Sequence, residues 1–172
     1  MVESIWFVIV LILLAAVSVA LVLTIVLRAE VRSSGRETRT QYLTPNYSDV
    51  AGFRLTAYPN NELVILQRLW LIEDSIAALD YSIVPGRYMT LFISKRGKMR
   101  FPDSFYADSF ESVEQYDIAG ITVTQSQKAG RRAGVYWTRG DFEYLIYSEE
   151  PEMNMMNGLT YYFVNNTRAE ES

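Results

Sequence analysis

The side chains best able to meet another molecule in this sequence are aromatic. Trp70, Tyr136, Trp137, Tyr144, Tyr147, Tyr161, Tyr162 and Phe163 could line one apolar concavity, although the same set would also suit an ordinary core. Trp70, Tyr136, Trp137, Tyr144 and Tyr162 stand out as the candidate ligand- or partner-binding residues. Reactive chemistry is poorly supplied. The chain contains no cysteine and no histidine, which removes thiol nucleophiles, disulfides, thiolate metal sites and the usual general base. Carboxylates, Lys, Ser and Tyr remain, but no arrangement of them names a reaction. No catalytic residue, metal or cofactor is expected, and the chain reads as a non-enzyme.

Three charged groups need weighing against this background. Asp103, Asp108, Glu111, Glu114 and Asp117 offer hard oxygen ligands for Ca²⁺, but their spacing does not match a calcium loop, so they read as a solvated connection. Lys95, Arg96, Lys98 and Arg100 could touch anionic lipid or an acidic partner, and read more simply as a soluble hairpin tip. Lys128, Arg131 and Arg132 lie beside Gly130 and Gly134 without the Gly-Lys-Ser/Thr context of a phosphate loop. The net charge is −4, with basic residues in excess from Arg28 to Arg100 and acidic ones beyond. That balance excludes nucleic acid as the expected partner, since such proteins carry a basic contact face.

The elements that must position these residues follow from periodicity. Gly52 to Ala57 alternates and stops at Tyr58-Pro59-Asn60-Asn61, a strand and a turn. Residues 63–72 have both helical and strand spacing; the surrounding meander favours a strand. Residues 76–83 and 87–94 are strands about the turn Val84-Pro85-Gly86, and a long connection runs from Lys95 to Glu114. Tyr116 to Gln125 reads as one strand with a bulge or close packing at Gly120. Ala133–Thr138 and Phe142–Tyr147 form a hairpin turned by Arg139-Gly140-Asp141. Ser148, Glu149, Glu150 and Pro151 then supply the cap, charge and first-turn proline of a helix whose apolar stripe is Met155, Met156, Leu159, Tyr162 and Phe163.

Everything hangs on the N-terminal stretch. Ile5 to Leu27 contains no charged residue, and at about 1.5 Å per residue it is long enough to cross a hydrocarbon layer of roughly 30 Å. A cleaved signal fits less well, because Met1-Val2-Glu3-Ser4 lacks a basic start and Ser18-Val19-Ala20 is followed by more apolar residues. Ala16, Ser18 and Ala20 give this helix a small-residue face for packing against another helix. The expected organisation is an anchor over 1–28, a polar tether over 29–48, a globular domain over 49–167 and a disordered tail over 168–172. The fold class is α+β: a transmembrane helix, then an antiparallel sheet domain with its C-terminal helix packed on the sheet. Arg28, Arg32, Arg36 and Arg39 after the anchor favour a cytoplasmic domain by the positive-inside rule, a rule that weakens when a long domain follows.

The runs GFRLTAYP, DIAGITVT and VYWTRGDFEYLIYS, followed by an acidic turn and a Met/Leu helix, together resemble a bacterial domain of unknown function. That domain is found at the outer, membrane-anchored end of some anti-sigma factors and sporulation-related proteins, and is distantly similar to the half-barrel of lipoprotein carriers and periplasmic sigma-factor regulators. Gly120, Trp137, Gly140 and Tyr144 carry the resemblance. Only four residues precede the anchor, so sigma-factor binding is not carried over. The resemblance implies an extracytoplasmic sensor or binding module, and that orientation is the one adopted. The expected function is a single-pass, membrane-anchored, non-catalytic module for a ligand or partner at the cell envelope. Its partners would be the lipid around the anchor and another membrane or envelope protein. The alternative is a structural accessory subunit of a larger membrane complex.

Overall fold

The computed structural model describes residues 38–84, 86–99, 111–128, 132–149, 151 and 153–172. The expected anchor, with Ala16, Ser18 and Ala20, lies outside these, as do Arg100, Asp103, Asp108 and Arg131. Among the described residues no helix is long and apolar enough to cross a membrane. The elements, in order, are β1 (Arg39–Tyr42), α1 (Ser48–Ala51), β2 (Phe53–Ala57), β3 (Val64–Ile72), β4 (Ile76–Ile83), β5 (Arg87–Lys95), β6 (Ser112–Ile118), β7 (Ile121–Lys128), β8 (Arg132–Arg139), β9 (Phe142–Ser148), α2 (Met153–Asn166) and β10 (Arg168–Glu171). An antiparallel eight-stranded sheet has the order β1-β3-β4-β5-β9-β8-β7-β6, and β2 pairs with β10 in a separate ribbon. The α+β class holds: an antiparallel sheet and one C-terminal helix.

Alternation along the strands gives the sheet two chemically distinct faces. The inner face carries Leu79, Tyr81, Leu91, Ile93, Val135, Trp137, Tyr144 and Ile146, buried in one cluster with Met156, Phe163 and Val164 of α2 and Phe53 and Leu55 of β2. Each such large side chain taken fully out of water contributes about 1.5–3 kcal/mol. The outer face carries a smaller buried cluster of Ile72, Ile76, Ala78, Phe92, Leu145 and Tyr147, against which Trp70, Met99 and Tyr136 pack.

The turns explain the register. Ala119 and Gly120 both take left-handed φ, 53° and 80°, in a two-residue connection between β6 and β7. That is the type I′ geometry whose twist suits a hairpin, and the Asp117 carboxylate accepts the Gly120 amide at 2.9 Å. The single strand expected over 116–125 is therefore two strands, and Gly120 is a turn residue and not a bulge. Between β8 and β9, Gly140 adopts φ 57°, as the hairpin reading requires.

Three further expectations are corrected. Within the span drawn as a tether over 29–48, Arg39 to Tyr42 form β1 and pair with Ile72 to Leu69 of β3. Tyr42 then meets the buried Tyr47 edge-on at 4.9 Å. The tail drawn over 168–172 is mostly strand β10, held by Ala169 N donating to Tyr144 Oη at 3.2 Å and by Lys95 pairing with Glu171 at 2.9 Å. Both strands are short and none of their residues is fully buried, so backbone pairing builds them without an apolar alternation to betray them. Ser148 is the last residue of β9 and donates its hydroxyl to the Tyr88 carbonyl, where a helix cap had been expected.

Candidate functional site

The five candidate aromatics do not share one surface. Trp137 and Tyr144 are 0% and 1% exposed on the inner face, stacked at 5.1 Å with an interplanar angle of 3°. They form core, and burial pushes the Tyr144 hydroxyl up to about 12, a shift the Ala169 amide partly opposes. Tyr162 is half-buried on α2, where its hydroxyl accepts a hydrogen bond from Asn61 Nδ2 at 2.8 Å. Trp70 and Tyr136 alone lie on the outer face, in a row set by strand register: Trp70, Ala78, Phe92, Leu145, Tyr136. Of the remaining aromatics, Phe163 is buried, Tyr161 is exposed, and Tyr147 is on the outer face.

The outer face holds an open groove of about 810 Å³ over β3, β4 and β5. Its floor includes Asp80, Thr90, Phe92 and Tyr147, and its rim includes Arg39, Gln67, Arg68, Arg87, Tyr88 and Glu149. Register places Arg68, Asp80, Thr90 and Tyr147 in one row across four strands. A bulge at Gln67 makes this possible, since the register shifts between Leu66 and Arg68 and turns Arg68 outward. Asp80 accepts Trp70 Nε1 at 2.8 Å on one oxygen and Thr90 Oγ1 at 2.8 Å on the other. Both carboxylate oxygens thus have a donor, and the indole of Trp70 is fixed in place.

A second carboxylate, Glu143, organises the neighbouring part of the same face. It is buried, and its Oε1 accepts Ser94 Oγ at 3.1 Å, the Lys98 amide at 3.0 Å and the Met99 amide. Its Oε2 accepts Tyr136 Oη at 3.2 Å. Burial, followed by the Glu143 charge, raises the Tyr136 hydroxyl above its ordinary value. Glu143 therefore fastens the start of the β5–β6 connection onto the outer face. Sequence reasoning missed it because three of its four partners lie 44 to 49 residues away, with no local spacing to signal them.

The remaining charged candidates do not gather. Among the described residues no three acidic side chains converge into a metal cluster. Lys95 pairs with Glu171, while Arg96 and Lys98 sit at the exposed turn after β5. No protein-family model matches the chain, and comparisons with curated proteins and with solved structures found no similar protein.

Proposed function

We propose that this chain is a single-pass, membrane-anchored binding module that engages a partner at the cell envelope through the outer-face groove, without catalysis. The observation that carries this reading is the state of the groove's polar floor. Asp80 is occupied by Trp70 and Thr90, and nearby Glu143 by four donors, so the carboxylates brace the sheet while Arg68 and Tyr88 stand exposed at the rim. Such a surface recognises shape and charge; it presents no nucleophile held by a base.

The membrane part rests on the apolar run Ile5 to Leu27, and the outward orientation on the resemblance drawn from the sequence. An alkaline carbonate wash tests the first: full-length protein should stay with the bilayer and leave only in detergent. Release by carbonate would overturn the anchor. Protease added to intact cells tests the second, since an outward domain is digested and a cytoplasmic one is spared.

A further inference from the structure

Two hydroxyls of the inner core sit near one another without a protein group to satisfy them. Tyr47 and Tyr81 are each 1% exposed, and among the described residues neither hydroxyl has a hydrogen-bond partner. Trp137 Nε1 and Thr167 Oγ1 share that condition, on β8 and just beyond the end of α2. A buried hydroxyl without a partner is costly, because the bonds it made to water in the unfolded chain are not replaced. Phenylalanine would fill nearly the same space without that cost. Two such hydroxyls at one place therefore point to a molecule that both of them bind.

Strand register brings the two phenols together. Tyr42 of β1 lies opposite Leu69 of β3, and Tyr81 of β4 lies opposite Leu66 on the other side of β3, one inner-face row away. With strands about 4.8 Å apart and successive inward residues about 7 Å apart, the Cα atoms of Tyr42 and Tyr81 are roughly 12 Å from each other. Tyr47 stands edge-on to Tyr42 at 4.9 Å, and Tyr81 edge-on to Phe163 of α2 at 5.1 Å. Beside Phe163, the Tyr162 hydroxyl accepts the Asn61 side-chain amide at 2.8 Å. The segment after β1, strand β4 and helix α2 thus converge on one knot of phenols, to which half-buried Tyr58 also belongs. Burial raises the Tyr47 and Tyr81 hydroxyls, and neighbouring phenols raise them further: Tyr42 and Tyr58 act on Tyr47, while Tyr58, Tyr47 and Tyr162 act on Tyr81.

Those neighbours also define the ligand. All are phenols, uncharged at neutral pH, so the site offers nothing to compensate an ion taken out of water. Both hydroxyl oxygens are shut off from solvent, so the occupant is small. A tyrosine hydroxyl both donates and accepts, and a molecule that joins two of them has to do the same. Water meets all three requirements, and buried waters characteristically bridge polar groups that the protein leaves unpaired. We propose that the Tyr47 and Tyr81 hydroxyls hold one internal water between them, which fastens the segment after β1 onto β4.

The test compares full-length protein in detergent with Tyr47→Phe, Tyr81→Phe and the double variant. Thermal melts report stability, and magnetic relaxation dispersion of the water oxygen counts long-lived internal waters. Each single substitution should lower the melting midpoint, because it takes one partner from the water and strands the other hydroxyl. The second substitution, added to the first, should cost little or nothing more, since the pair acts as a unit. Either single variant should also hold one long-lived water fewer than the parent. Tyr88→Phe, at a phenol 73% exposed, should change neither reading. A raised midpoint in either single variant would mean that the hydroxyl is dry and unpaired, and would overturn the site. Losses that simply add in the double variant would assign the two hydroxyls separate partners and overturn the bridge. An unchanged water count in both single variants would overturn it as well, whatever the melts show.

Discussion

At the scale of single residues, the inner face is built around phenols that cannot ionise where they stand. Tyr47 and Tyr81 are 1% exposed, and burial raises both hydroxyls well above the ordinary value of 10, with Tyr144 raised to about 12. A raised acid binds its proton more tightly when folded, so these groups add no pH dependence below 10. Above it the unfolded chain ionises first, and each such group costs about 1.4 kcal/mol per pH unit until its folded value is reached. Absorbance of tyrosinate should therefore rise in two stages, exposed phenols near pH 10 and the buried ones together with loss of circular dichroism. Smooth titration of all 12 tyrosines with the dichroism intact would contradict this. Glu143 makes a second expectation: Glu143→Ala strands the donors of Ser94, Tyr136, Lys98 and Met99, and should lower stability by about 2–4 kcal/mol in urea unfolding. Neither role could be read from the sequence, since a buried Tyr and an exposed Tyr look alike in a list of letters and three of the four Glu143 partners are 44 to 49 residues away.

At the scale of elements, the sequence was most legible where alternation and turn chemistry agreed. Strands β3, β4 and β5, the β8–β9 hairpin and helix α2 could all be placed to within a few residues for that reason. Legibility failed at β6 and β7, because Ala119 lacks the side chain that normally announces a left-handed position. The strain left there makes Ala119→Asn, which creates the favoured Asn-Gly pair, a stabilising change of about 0.5–1 kcal/mol. In α2, a Cβ at Gly158 would meet no atom within 4 Å. Gly158→Ala should therefore raise stability by about 0.5–1 kcal/mol. Thermal melts of both variants check the pair, and a lowered midpoint in either would show that the local backbone is differently constrained.

At the scale of the whole molecule, α2 and the β2–β10 ribbon close the inner face with one continuous core, so residues 38–172 should unfold in a single cooperative urea transition. Separate transitions by fluorescence and circular dichroism would show otherwise. The class of fold could be foreseen because its two periodicities are local. The strand order could not, since nothing in β5 specifies that its neighbour is β9. That seam has a kinetic corollary. β3–β4–β5 and β6–β7–β8–β9 are runs of adjacent antiparallel strands, each able to pair locally in microseconds. Joining them brings together residues such as Ser94 and Glu143, 49 apart, so loop-closure entropy must be met before any contact repays it. In pulse-labelled refolding, amides within each run should gain protection first, and those of Leu91 and Ile146 across the join should follow. The reverse order would mean that the join nucleates the sheet.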